Sequence, residues 1–129
     1  MHLNSAQTLT NKTLGTGTKV NIGEASTGVG DTGIDLNLAN GLNHKVTLTG
    51  DGHLRMINAL AGAKYLVRVV QGDGSGHNPT FAGETGVVKW TGGTAPTWTS
   101  GSGAVDIVTF YYNGEDFYAV GNTDFKVAT

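Results

Sequence analysis

The stretch from Ala104 to Val120 constrains this chain more than any other. Its first run, Val105 to Tyr112, is dense in β-branched and aromatic residues, which suit a pleated, half-buried surface. Asn113-Gly114 tolerates the positive φ of a tight reversal, and Phe117 to Val120 returns. The pattern predicts two strands around one turn. Side chains on a strand alternate between faces. Val105, Ile107, Thr109 and Tyr111 therefore share one face, and Asp106, Val108, Phe110 and Tyr112 the other. Both sets are mostly apolar. A strand apolar on both faces is normally covered on both, by a second sheet or by another subunit.

Upstream, the same alternation recurs in shorter runs. Ile34, Leu36 and Leu38 share a face, with Asp35 and Asn37 opposite. Asn40-Gly41 is a turn, and Val46 and Leu48 point inward in the next run. Gly50-Asp51-Gly52 then separates two alternating runs, which predicts a hairpin. Tyr65 to Gln71 is a strong strand, with Tyr65, Val67 and Val69 against Leu66, Arg68 and Val70. Arg68 in so apolar a run is expected at an interface or paired with a carboxylate such as Asp106. Turn signals recur every eight to twelve residues with no convincing helix and no evident tandem repeat, the signature of an all-β sandwich or barrel.

Residues 1–33 differ. Their apolar residues are sparse: Leu3, Leu9, Leu14, Val20, Ile22 and Val29, among Thr, Gly and Asn. Alone, such a segment buries too little area to offset an ordering cost of ~1–2 kcal/mol per residue. Two readings follow, a tail without fixed structure or an extended arm that orders against a neighbouring subunit. Low charge and spaced Leu and Val favour the arm, since disordered tails carry more charge. Ser26 to Gly33 reads as a hinge-like loop.

Composition narrows the function. Gly makes up 21 of 129 residues without a collagen period, which means many tight turns. Charged residues are 14% of the chain, against a usual ~25%, so part of the surface is expected to face partners. Net charge is −2 with no Lys/Arg cluster, which argues against nucleic acid. The chain has no Cys, hence no disulfide framework and no thiolate metal site. No apolar run approaches the ~20 residues of a membrane span. Met1-His2-Leu3-Asn4 lacks the basic and apolar regions of a signal peptide, and the chain reads as a complete small gene product.

Chemistry is thinly signalled. Gly74-Ser75-Gly76 and Gly101-Ser102-Gly103 lack nucleophile-elbow spacing. Asp73, Ser75, His77 and Asn78 supply oxygen ligands but no paired acids or terminal Glu for calcium, so a solvated loop is the plainer reading. His44 and His53 flank a turn with Asp51, too few ligands for zinc, and are expected as exposed turn residues. Glu115 and Asp116 are adjacent and so point to opposite faces, unlike a glycosidase pair across a cleft. Trp90, Trp98, Tyr111, Tyr112 and Tyr118 offer an aromatic sugar platform, but strand context favours core and interface packing. No cofactor, metal or enzymatic role is expected.

Three strings in the second half carry a resemblance. They are Tyr65-Leu66-Val67-Arg68-Val69-Val70-Gln71, Val88-Lys89-Trp90-Thr91-Gly92-Gly93-Thr94-Ala95-Pro96-Thr97, and Ala104 to Gly114 followed by Phe117-Tyr118. Together they resemble a β domain of tailed-bacteriophage virion proteins, found in tail fibres, appendages and small head-associated proteins. Ala6 to Leu14 is similar to a connector in phage fibres. The resemblance covers roughly residues 34–121 and implies a homotrimer. Fibres are usually much longer, whereas a small module with an arm suits a capsid decoration, or cement, protein that binds the major capsid protein on the virion surface. The expectation is thus an all-β, compact β-sandwich or jelly-roll-like domain at 34–129 with an extended N-terminal arm at 1–33. Its partner-binding residues would be Leu3, Leu9, Leu14, Val20, Ile22, Arg68, Trp90 and Trp98. A tail-fibre or spike domain binding a host receptor or polysaccharide is the alternative.

Overall fold

A computed structural model describes residues 23–30 and 33–128. They form nine strands: β1 (Glu24–Val29), β2 (Gly33–Asn37), β3 (Asn43–Leu48), β4 (His53–Ile57), β5 (Lys64–Gln71), β6 (Thr80–Gly83), β7 (Val88–Trp90), β8 (Val105–Tyr112) and β9 (Phe117–Asn122). One sheet has the order β1-β3-β5-β8-β9-β7, the other β2-β4-β6. The all-β expectation therefore holds, in two layers.

The connectivity is not the one the turn signals suggested. From β1 to β6 the chain alternates between the layers, and each strand pairs with the strand one coil further along. Glu24 of β1 lies opposite Asn43 of β3, and Asn43 opposite Leu66 of β5. Gly33 of β2 lies opposite His53 of β4, and His53 opposite Thr80 of β6. Five of the seven described pairings are parallel, whereas a jelly roll is antiparallel, so the jelly-roll topology is corrected. So is the predicted hairpin at Gly50–Gly52. There the chain crosses from one layer to the other, and β3 and β4 do not pair. Close approach fixes the crossing, since a Cβ on Gly52 would overlap the Val29 side chain.

The reason lies in the inward rows. In parallel register, Thr27, Val46 and Val69 form one row and Val29, Leu48 and Gln71 the next. Ile34, Leu54 and Phe81 do the same in the second layer. A turn signal says that the chain bends. It does not say which strand supplies the matching apolar row, and here the match is one coil away. The layers enclose one core containing Leu36, Val46, Leu48, Leu54, Met56, Val67, Val108, Phe110 and Phe117, all under 2% exposed.

The predicted boundary at residue 34 also moves. Glu24–Val29 is a strand of the large sheet, with Val29 buried, and Ser26 to Val29 is not a hinge loop. Its own apolar content is small, but neighbouring coils supply the burial. The rest of the predicted arm, residues 1–22, lies outside the described residues, and with it Leu3, Leu9, Leu14, Val20 and Ile22.

The predicted hairpin of the second half is present. β8 and β9 pair antiparallel, from Ile107 opposite Asn122 to Tyr112 opposite Phe117. The Asn113 side chain accepts hydrogen bonds from the Glu115 and Asp116 amides at 2.8 Å each and closes the turn.

Candidate functional site

The core uses one face of the six-stranded sheet, and among the described residues no second layer of strands covers the other. On β8, Asp106, Val108, Phe110 and Tyr112 are buried, Val105, Ile107 and Thr109 are half-buried, and Tyr111 is exposed. Register carries this outer face across the sheet. Arg68 of β5 lies opposite Ile107 of β8, which lies opposite Asn122 of β9. Leu66, Thr109 and Val120 form the adjacent row, Val70 and Val105 a third, and Lys64, Tyr111 and Tyr118 a fourth that ends at Lys89 of β7.

The result is an apolar strip over β5, β8 and β9. It contains Leu66, Val70, Val105, Ile107 and Val120, and at one end two tyrosine rings 6.3 Å apart, Tyr111 and Tyr118. Tyr111, Tyr118 and Val120 are 39%, 42% and 48% exposed, the two tyrosines beside the β8–β9 turn and Val120 at mid-strand. Three strands at ~4.8 Å spacing, about seven residues long, give a strip of roughly 14 by 23 Å, or ~300 Å². That footprint includes Lys64, Arg68, Thr109 and Asn122, and the largest apolar patch of an ordinary monomer is ~300–600 Å² and often functional.

Charges sit at the edges of the strip. Arg68 donates to Glu24 through Nε at 3.0 Å and Nη2 at 2.7 Å, a two-pronged pair between β5 and β1. It does not reach Asp106, which points into the other face. The Arg68 guanidinium holds the Glu24 carboxyl below its usual range. At the opposite edge, Lys89 Nζ lies 5.5 Å from the Tyr118 ring centre and 3.1 Å from Asp116 Oδ2. Asp116 also accepts from the Val87 amide at 3.0 Å. That backbone bond first, and Lys89 second, hold its carboxyl low.

Trp90 and Trp98 are not on this surface. They are half-buried against the core, in an aromatic cluster with Phe81 and Phe110. Tyr112 is buried too, so the five-residue aromatic platform is not assembled, and only Tyr111 and Tyr118 face outward. The signal for Tyr118 and Val120 was in the sequence, since the β8 register extends the apolar face onto β9.

The other candidates are structural in their contacts. Asp73 Oδ1 accepts from the Ser75 amide at 2.9 Å and from His77 Nε2 at 2.8 Å. The Ser75 amide first, then His77, lower its pKa. Gln71, buried, exchanges two hydrogen bonds with the His77 backbone at 2.8 and 2.9 Å and anchors this loop. His53 is exposed, but His44 is buried on β3 and donates Nε2–H to the Gly41 carbonyl at 2.8 Å, a correction to its reading as an exposed turn residue. Among the described residues no group of three or more His, Cys, Asp or Glu is placed to hold a metal ion. Nor is any helix among them long and apolar enough to cross a membrane.

No family model, curated protein or solved structure matches the chain.

Proposed function

We propose that this chain is a structural protein of a tailed-bacteriophage virion, a homotrimer that decorates the head and stabilises the assembled shell. The observation that supports this reading is the outer apolar strip of the six-stranded sheet. Its ~300 Å² falls short of the ~800 Å² per partner in a standard interface. The charged edges, Glu24–Arg68 on one side and Lys89 on the other, would therefore lie within the interface and fix its register. Burial of the strip contributes about 25 cal/mol per Å², against which association costs ~4–15 kcal/mol, so the charged edges and repeated sites have to contribute as well.

The mechanism is mass action. A protein that binds only the assembled shell stabilises it by RT ln(1 + [L]/Kd), ~3–4 kcal/mol per site at a few hundred Kd. Repeated sites multiply the effect through avidity. The proposal includes no catalysis and no cofactor. It is tested by co-sedimenting the purified protein with emptied or expanded capsids. Saturable binding and a raised capsid melting temperature are expected, and absence of binding would remove the decoration role.

One observation favours a second reading. Among the described residues the parallel coils of β1 to β6 stack along an axis, with β1, β2 and β6 at sheet edges and β5 continued by β8, a geometry suited to a module within a longer fibre that contacts a host surface. Copy number separates the two, because decoration proteins far outnumber fibres on a particle. Antibody labelling of the head or the tail decides it.

A further inference from the structure

The chain contains two Asn-Gly pairs, Asn40-Gly41 and Asn113-Gly114. In such a pair the backbone nitrogen of the glycine can attack the asparagine side chain, because glycine sets no Cβ in the way. The fold treats the two pairs differently.

Asn113 closes the turn between β8 and β9. Its Oδ1 accepts from the Glu115 and Asp116 amides at 2.8 Å each. Two backbone donors converging on one carbonyl oxygen are the arrangement that stabilises an oxyanion. The carbon they polarise, Cγ, is the one that the Gly114 nitrogen meets when a succinimide ring closes. Among the described residues the Gly114 amide donates to no acceptor, so attack breaks no hydrogen bond. Gly114 has φ +100°, a conformation that glycine holds without strain, so the turn itself calls for the reactive pair. Asn113 and Gly114 are both exposed, within reach of water and hydroxide.

The other pairs lack this combination. Asn40 ends a short 3₁₀ turn, and the Gly41 amide is turned back to the Leu38 carbonyl at 3.5 Å. Among the described residues no amide donates to the Asn40 side chain. Asp51-Gly52 and Asp73-Gly74 offer carboxylates, which resist nucleophiles while ionised.

We propose that Asn113 is a self-modifying site, at which the folded turn promotes deamidation of its own asparagine. Hydroxide takes the Gly114 amide proton, the nitrogen bonds to Asn113 Cγ, and the carbonyl electron pair moves onto Oδ1 between the two donors. The intermediate collapses, the Cγ–Nδ2 bond breaks, and ammonia leaves with a proton from water. Water then adds to either ring carbonyl and opens the succinimide, which leaves aspartate or isoaspartate at position 113. The product carries a new negative charge beside Glu115 and Asp116, at the tyrosine end of the outer strip. Isoaspartate also lengthens the main chain by one carbon next to the Tyr112–Phe117 pair. This inference rests on the turn alone and is independent of the virion reading.

The test needs no variant, because Asn40 is an internal control. The full chain is aged in mildly alkaline buffer, with its fold followed by circular dichroism, and in parallel in denaturing guanidinium. Peptide mapping by mass spectrometry measures conversion at both asparagines, as the mass gained when NH₂ becomes OH and as the separate elution of isoaspartyl peptides. An enclosed oxyanion donor is worth ~10²–10³ in rate, and the exposed turn less, so in buffer Asn113 is expected to convert at least about tenfold faster than Asn40. It should also convert no more slowly than in guanidinium, where the two donors are lost. A smaller ratio in buffer, or an Asn113 rate that rises on unfolding, would overturn the proposal.

Discussion

Asp106→Ala should be the most damaging substitution of a polar residue in the described structure. Asp106 is 2% exposed on the inner face of β8 and accepts three hydrogen bonds. Thr99 gives two, from its amide at 2.8 Å to Oδ2 and its hydroxyl at 2.7 Å to Oδ1, and the Asp124 amide gives the third at 2.9 Å to Oδ1. One carboxylate thus ties both the loop before β8 and the tail after β9 to the sheet. Each hydrogen bond to a charged acceptor is worth a net ~1.5–3 kcal/mol. Three bonds sharing one acceptor do not add fully, and the loop and tail regain some water when released, so the expected loss is about 3–4 kcal/mol. At ~3–4 °C per kcal/mol for a domain of this size, the melting temperature falls by about 10–15 °C. Asp106→Asn retains the Oδ1 acceptor but turns an NH₂ toward the Thr99 amide, and should cost about half as much. Thr99→Val removes one bond and should cost ~1.5–2 kcal/mol, the low end of that range. Circular dichroism melts and urea titrations at fixed protein concentration measure all three, and the Asp106/Thr99 double-mutant cycle isolates their coupling. A loss below ~1 kcal/mol for Asp106→Ala, or full additivity of the pair, would refute the clamp.

Gly86 has φ +79°, and a Cβ there would overlap the Glu115 carbonyl. Gly86→Ala should therefore cost about 2–4 kcal/mol in urea titration. Glu24, Asp73 and Asp116 all titrate below their ordinary range in the folded chain. A depressed folded pKa contributes stability that is present above the unfolded value, ~4, and lost as pH falls through the folded one. The urea midpoint should be level from about pH 7 to 5 and decline below about pH 4; a midpoint that rises on acidification would contradict this. Ile107→Lys, at the centre of the outer strip, should leave the monomer fold intact by circular dichroism while shifting sedimentation toward single chains.

Strand positions were legible where side chains alternate without interruption. β5, β8 and β9 follow directly from Tyr65 to Gln71, Val105 to Tyr112 and the Asn113-Gly114 turn. The apolar outer face follows from the same alternation. Pairing was not legible, because Gly50-Asp51-Gly52 marks a bend equally well in a hairpin and in a crossing between layers. The choice depends on which strand presents the matching inward row. β1 was hidden for a related reason. Ala25, Thr27 and Val29 look too weak to make a strand, and only the rows of β3 and β5 beside them provide the burial. Of the two readings of Arg68, an interface position or a carboxylate such as Asp106, the structure shows a carboxylate other than Asp106: Glu24, 44 residues away, becomes its neighbour only through the parallel coil. Trp90 and Trp98 went to the aromatic cluster because the loop after β7 folds back over Phe81 and Phe110, which no local pattern encodes.

Sedimentation of the intact chain over about a hundredfold dilution tests the central claim, that the outer strip is a surface made to be covered. A species of three times the 13.3 kDa chain mass that persists on dilution, with Tyr111 and Tyr118 shielded from solvent quenchers, is the predicted result. A stable single chain at every concentration, with both tyrosines freely quenched, would contradict it.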